Sequence, residues 1–259
     1  MNVWYMNGAG NDFMVIDARG CNYDFSKLAL ELCKLTGADG FMAVDGSETA
    51  TFRLHFYNSD GSRGEMCGNG ARCICRFAYD LGIAGEEMTV QTDAGIVYGR
   101  RISEDQYRVR LNNPGIADLH RKEDIAYIEL GNPGVPHAVV HVPGLDWDWK
   151  GELFSYARAL RYDPAFPKGA NVNLYDWLDD TTVRILTYER GVEDYTLACG
   201  TGSGSTAAKL WLEGKLPGGY LTVKNPGGDL AVTIVGDQEI QELWLEGPTQ
   251  VVRQYEVDL

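Results

Sequence analysis

Two cysteines stand out by the glycines that trail them. Cys67 opens Cys-Gly-Asn-Gly and Cys199 opens Cys-Gly-Thr-Gly, in a chain of 259 residues. A thiol serves as an acid or base near neutral pH only where its thiolate is accessible. The start of a helix provides that, because unpaired backbone N–H groups and the helix dipole favour negative charge. Apolar residues recur at helical spacing after each cysteine: Ile74, Phe77, Ala78 and Leu81 in one case, Ala207, Leu210 and Trp211 in the other. Gly82 and Gly214 then supply a stop signal at matching positions. The spacing therefore predicts two helices, each opened by a cysteine. The amides of Gly68 and Asn69, and of Gly200 and Thr201, are placed to hold a small carboxylate, which glycine allows to approach closely.

A cysteine near a helix start is ordinarily a small buried hydrophobe. The pair changes that reading. If two such helix ends face one another, a small amino acid between them has one sulfur on each face of its α-carbon. One thiolate removes the α-proton and the opposite thiol returns a proton to the other face. The carbanion spreads its charge into the carboxylate, where both sets of N–H groups stabilise it. This is stereoinversion with no metal and no organic cofactor. Rival patterns are weak. The spacing of Cys67, Cys73 and Cys75 is not that of a zinc site. GNGARC (68–73) fails the dinucleotide pattern, and no Gly-Lys-Ser/Thr loop is present. Cys21, Cys33, Cys73 and Cys75 read as core filler.

The elements that must position these cysteines are themselves duplicated. LHFYNSDG (54–61) parallels RILTYERG (184–191), and TVQTDAG (89–95) parallels TVKNPGG (222–228). Strand, turn, cysteine motif, helix and strand thus recur in one order. The expected fold is α/β, with two similar domains related by pseudo-twofold symmetry. The turn-rich Asn112–Gly115 sets the division, giving domains 1–113 and 114–248. GLDWDWKG (144–151) reads as a surface loop that could present an aromatic patch, and VVRQYEVDL (251–259) reads as a strand.

Composition narrows the partners. A net charge of −14 and a pI near 4.7 leave no basic face for nucleic acid or for an anionic membrane surface. No apolar run is long enough to span a bilayer, and the first dozen residues lack a secretory signal. Six sparse cysteines suit reduced thiols in a cytosol better than a disulfide scaffold. With 44% hydrophobic residues the chain can bury a substantial core, and its partner is expected to be a small amino-acid substrate.

GNDF (10–13), NSDGSRGEMCGNGARC (58–73) and YERGVEDYTLACGTG (188–202) resemble the signatures of the diaminopimelate epimerase family, in the family's order up to about residue 245. The resemblance implies two domains, each a curved, mostly antiparallel sheet around a central helix. The active site would lie in the cleft between them, and a last strand near 249–259 would return to the first domain. It implies a cytoplasmic homodimer that converts LL- to meso-diaminopimelate, feeding lysine and peptidoglycan synthesis. Carried over by position, Cys67 and Cys199 match the acid/base pair, while Gly68, Asn69, Gly200 and Thr201 match the amides around the reacting carboxylate. Asn11, Asn58, Asn171, Glu189 and Arg190 match residues that hold the rest of the substrate. Arg190 suits a distal carboxylate, because a guanidinium and a carboxylate pair in a fork. Glu189 suits an ammonium group, and His137, with Glu189, matches residues that tune the thiols.

Three departures bear on substrate identity. The segment GNPGVPH (131–137) places Val135 where the family has a substrate-binding asparagine, a role Asn132 could recover. The loop from Leu35 to Phe41 is short and apolar. Tyr195 stands where an acidic or small polar residue is common. Two alternatives therefore stay open: a two-thiol racemase of another amino acid such as histidine, and a non-catalytic anion-binding protein.

Overall fold

The computed structural model describes residues 1–64, 67–147 and 151–257. Through the first half of the chain run β1 (Asn2–Gly8), β2 (Asn11–Asp17), α1 (Phe25–Thr36), β3 (Gly40–Asp45), β4 (Phe52–Asn58), α2 (Gly68–Asp80), β5 (Glu87–Thr92), β6 (Gly95–Arg101) and β7 (Gln106–Leu111). Then come β8 (Pro114–Lys122), β9 (Ile125–Gly131), β10 (Gly134–His141), α3 (Glu152–Arg161), β11 (Asn171–Asp179) and β12 (Thr182–Glu189). The chain continues with β13 (Asp194–Thr196), α4 (Gly200–Leu212), β14 (Tyr220–Asn225), β15 (Gly228–Gly236), β16 (Ile240–Pro248) and β17 (Gln250–Glu256). The fold is α/β, and the chain forms two compact units, residues 1–110 with 246–259 and residues 111–245.

In the first unit the strands pair in the order β17, β1, β2, β3, β4, β5, β6, β7. Every pairing is antiparallel except β2 with β3 and β4 with β5, the two places where a helix intervenes in the chain. A parallel neighbour needs a crossover, and α1 and α2 are those crossovers. The second unit repeats the plan. β8, β9, β10, β11, β12, β14 and β15 pair in that order, parallel only at β10–β11 and β12–β14, across α3 and α4. The two units are thus similar domains with mostly antiparallel sheets.

Within each unit one helix is enclosed by the sheet. α2 packs against β1, β2, β3 and β6, and α4 packs against β8, β9, β10, β11, β14 and β15. This is the central helix that the family resemblance implies for each domain. From Gly68 to Cys75 every residue of α2 is buried, as is every residue of α4 from Gly202 to Leu210. Small residues make that possible: Gly68, Gly70 and Ala71 in α2, and Gly202, Ser203, Gly204 and Ser205 in α4, let the sheet close around the backbone. Both helices end in a Schellman motif. Gly82 (φ 67°) and Gly214 (φ 72°) sit in the left-handed region, and the next amides, Ile83 N and Lys215 N, reach back to Ala78 O and Leu210 O at 2.8 and 2.9 Å.

The other two helices lie on the outer faces of their sheets. α1 is capped by Asp24, whose carboxylate accepts from Lys27 N, and buries Leu28, Ala29, Leu32 and Cys33 against β2 and β3. It closes at Gly37, so the segment expected to be a loop from Leu35 to Phe41 belongs mostly to α1 and β3. α3 places Ala157 and Leu160 against β11 and β12. Tyr195 joins Tyr188 and Phe154 in an aromatic cluster there, with ring centroids 5.4 to 6.0 Å apart. It is 5% exposed, which makes it a core residue. Each such ring buries enough apolar surface to contribute about 2 kcal/mol.

Two further expectations change, and the reading of the C-terminal segment as a strand holds. Cys21 is exposed and so is not core filler, whereas Cys33, Cys73 and Cys75 are buried. Of the 144–151 segment, residues 148–150 lie outside the described residues. Trp147 packs on the core of the second unit and donates from Nε1 to Ile185 O at 3.3 Å, so it presents no open aromatic patch. The C-terminal segment forms β17, antiparallel to β1, with 258 and 259 outside the described residues.

Candidate active site

Cys67 is the N-cap of α2 and Cys199 the N-cap of α4, with nearly the same backbone (φ −127°, ψ 124° and φ −118°, ψ 108°). Neither side chain caps its own helix, so neither thiol is taken up in satisfying the helical amides. The carbonyls of Cys67 and Cys199 accept the first helical bonds, from Ala71 N at 2.7 Å and Ser203 N at 2.9 Å. The amides ahead of those bonds are the orphan donors of each helix: Gly68, Asn69 and Gly70 in α2, Gly200, Thr201 and Gly202 in α4. Each cysteine therefore sits at the positive end of a buried dipole with anion-binding N–H groups beside it. Cys67 is half-buried and Cys199 is 6% exposed. The hydroxyl of Thr201 lies 3.6 Å from Cys199 Sγ, within reach of a hydrogen bond to sulfur.

The first unit gathers the asparagines around α2. Asn69, 2% exposed, donates to Asn11 Oδ1 at 2.7 Å, and Asn11 donates to Asp39 Oδ2 at 3.1 Å. Asp39 also accepts from Asp12 N at 2.9 Å, so its carboxylate pins the start of β2. Asn58 closes β4 and donates to Ser62 Oγ at 2.9 Å, bracing the turn that leads toward Cys67. Its neighbour Ser59 donates its amide to Asp39 O at 3.1 Å, which ties that turn to the same loop.

The second unit gathers Asn171, Glu189, Arg190 and His137. Asn171 Oδ1 accepts from Arg190 N at 2.7 Å, fixing the turn after β12. The Arg190 side chain is exposed, donates to Lys168 O at 3.0 Å, and pairs with no carboxylate among the described residues. Glu189 accepts from Thr196 Oγ1 at 3.0 Å; burial pushes its carboxyl above the ordinary range, and the hydroxyl partly restrains it. His137 pairs with Asn171 across β10 and β11. Val135 stands earlier on β10 and is 40% exposed.

His137 is wholly buried, which drives its pKa down to about 3, with the charge of Arg190 acting in the same direction. It is therefore neutral at ordinary pH, and a neighbour sets its tautomer. Asn173 accepts from Thr187 Oγ1 at 3.0 Å and donates from Nδ2 to Ala138 O at 3.2 Å, so its amide orientation is defined. The same Nδ2 lies 3.0 Å from His137 Nδ1, which must then accept and leave the proton on Nε2. Nε2 has no hydrogen-bond partner among the described residues, so His137 presents a buried donor.

Asn173 itself escaped the sequence reading. It lies against the first turn of α4: a Cβ on Gly202 would come within 2.2 Å of its Oδ1. The signal for it was the alternation Asn171-Val172-Asn173, since residues two apart on a strand share a face. Arg72, wholly buried inside the first cysteine motif, also escaped, for want of any sequence cue to its burial.

Known proteins share this arrangement of elements. The family model described as Diaminopimelate epimerase matches residues 3–113 and 130–252. Among curated relatives, the diaminopimelate epimerase of Archaeoglobus fulgidus is 37% identical over 254 residues, covering 90% of this chain and 89% of the relative. That of Aquifex aeolicus is 34% identical over 272 residues, covering 95% and 94%. Among solved structures, a PhzF-family phenazine biosynthesis protein of Bacillus anthracis superposes with a TM-score of 0.75 at 16% identity, covering 100% of this chain and 99% of that one. A hydroxyproline epimerase of Agrobacterium vitis superposes with a TM-score of 0.68 at 18% identity, covering 99% and 90%. At those identities the structures establish the fold that the chains share.

Proposed function

The chain belongs to the diaminopimelate epimerase family, and from that premise we propose that it interconverts LL- and meso-diaminopimelate with Cys67 and Cys199 as the acid/base pair. The observation that carries the mechanism is the matched pair of helix N-caps. Each gives its sulfur the same surroundings, a positive helix end and unpaired amides.

In this reading one thiolate takes the α-proton while the other thiol, on the opposite face, delivers its own. The amides of Gly68, Asn69, Gly200 and Thr201 hold the α-carboxylate and stabilise the charge that develops there. After one turnover the protonation states of the two sulfurs are exchanged, and the reverse reaction uses them in the opposite roles. Neither step draws on a cofactor. Asn11, Asn58 and Asn171 orient the substrate. Arg190, with an exposed guanidinium, accepts the distal carboxylate in a fork. Glu189 receives an ammonium group, whose charge would draw its raised carboxyl back into the ionised form. His137 offers its Nε2 proton as a fixed donor near the first turn of α4. The six cysteines are thiols rather than disulfides, which suits a reducing compartment, and no helix is long and apolar enough to cross a membrane. Cytoplasmic location and a homodimer complete the reading.

The test is a stereochemical assay with LL-diaminopimelate as substrate, after treatment with a chelator and without added cofactor. Formation of the meso isomer supports the reading. If LL-diaminopimelate is inert while histidine, lysine or ornithine is racemised, the substrate assignment is wrong. If no amino acid is inverted, the enzymatic reading is wrong as well.

A further inference from the structure

The two cysteine helices diverge at the fifth residue after the cysteine. In α4 that residue is Gly204, enclosed by the side chains of Leu111, Leu130 and Leu243. In α2 it is Arg72, which is wholly buried. Helical side chains lean toward the N-terminus, and this one does so. Its Nη1 donates to Gly68 O at 3.3 Å and its Nη2 to Asn69 Oδ1 at 2.9 Å. The guanidinium therefore lies along the first turn of α2, bonded to the two residues that follow Cys67. It also heads a chain of hydrogen bonds that runs through Asn69 and Asn11 to Asp39.

A buried cation calls for a counter-charge, and Arg72 has no carboxylate partner among the described residues. Its ionisable neighbours are the thiols of Cys67, Cys73 and Cys75 on its own helix. Burial holds Cys73 and Cys75 up at about 12, so both stay neutral. Charges on the strands around α2 are committed elsewhere. Asp12 on β2 accepts from Asn7, Asp45 on β3 faces His55, and Arg100 and Arg101 on β6 pair with Glu87 and Glu86. Tyr5 on β1 is held neutral by burial, and Arg76, one turn along, is bound to Asp80 and Thr249 O. Among the described residues, the sulfur of Cys67 is the group left to answer the charge of Arg72.

We propose that Arg72 is a positioning residue that orders the first turn of α2 and makes Cys67, not Cys199, the thiolate of the resting enzyme. This rests on the reading of Cys67 as a proton-transfer thiol. Arg72 does not touch the substrate; it acts through Gly68, Asn69 and the field at Cys67. The matched position in α4 supplies no such field, so the two thiols start each cycle unequal although their backbones are alike.

The test needs no substrate. Iodoacetamide alkylation of Cys67 and of Cys199 is followed separately by peptide mass spectrometry across the pH range in which thiols ionise. In the unsubstituted protein the Cys67 midpoint should fall below that of Cys199. Arg72→Met and Arg72→Gln should raise the Cys67 midpoint by about one unit or more and leave Cys199 unmoved. Arg72→Lys, which keeps the charge but not the fork, should hold the midpoint near the original while epimerisation slows. Should Arg72→Met fail to fold, Arg72→Gln, which retains a donor for Gly68 O, reads the loss of charge. A Cys67 midpoint at or above that of Cys199, or one that ignores the charge at position 72, overturns the proposal. Midpoints that shift as expected in a protein without epimerase activity would instead refute the function proposed above and leave this assignment standing.

Discussion

The two cysteine helices have the same entrance and different interiors. Cys67 and Cys199 share a backbone conformation, a glycine-rich first turn and a Schellman exit. Beneath the first turn, α2 carries Arg72, a buried cation without a carboxylate partner among the described residues, while α4 buries Lys209 further along and pairs it with Glu213 at 2.7 Å. Beside α4 stands the neutral network of His137, Asn173 and Thr187, and beside α2 the chain from Arg72 to Asp39. The two helix ends thus keep the same caps and glycine-rich turns while the side chains behind them differ, and on the proposed reading that difference sets which thiol is charged at rest.

The sharpest way to break the comparison is at the sulfurs. Cys67→Ser and Cys199→Ser should each lower epimerisation by about 100- to 10,000-fold, since neither thiol can serve both faces. A variant that keeps more than a tenth of the activity would remove its cysteine from the reaction. Next in size is the buried pair in α4. Glu213→Gln leaves Lys209 buried without its carboxylate and should cost about 3 kcal/mol in urea unfolding. A change under 1 kcal/mol would mean that water or Tyr175 satisfies the ammonium.

Matched glycines then separate the two first turns. In α4 a Cβ at Gly202 meets Asn173 Oδ1 at 2.2 Å, and Asn173 is held by three elements. In α2 a Cβ at Gly70 meets Met42 Sδ at 3.1 Å, a flexible end that can move. Gly202→Ala should destabilise by about 2 to 3 kcal/mol and Gly70→Ala by about 1 kcal/mol or less. Equal losses would show that the Asn173 network is not rigid.

A graded effect, smaller than those of the cysteine and Glu213 variants, is a pH dependence that originates in the second unit. Folded His137 titrates near 3, whereas an unfolded histidine titrates near its ordinary 6.5. Between those values the unfolded chain binds the extra proton, so stability falls as the pH drops below 6.5 and stops falling below 3. At about pH 5 the loss should be about 2 kcal/mol. His137→Phe should flatten that slope in denaturant titrations, and an unchanged slope would assign it to other groups.

Much of this was legible in the residues. Helix starts, helix stops and flanking strands follow from glycine placement and periodicity, and these are local properties. The burial of α2 and α4 on all sides came from the family resemblance and not from periodicity, because enclosure depends on a curved sheet built from strands far apart in sequence. For the same reason the burial of Arg72 went unread and Tyr195 stood as a departure bearing on the substrate, when both lie in the interior. Cys21 misled in the opposite sense, since residue type suggested burial and a loop after β2 placed it at the surface. Among the candidate site residues, Asn11 and Asn69 are joined by a hydrogen bond, and Asn171 is joined to the backbone of Arg190. Asn173, which fixes the His137 tautomer, became visible only through its partners.

The most direct test of two opposed thiols is the isotope content of the first turnovers in heavy water. With LL-diaminopimelate as substrate, early meso product should carry deuterium at the inverted α-carbon, while recovered LL substrate should still carry protium. Product that retains its original hydrogen, or substrate that exchanges as fast as product forms, would contradict a reaction in which one sulfur takes the proton and the other returns a different one.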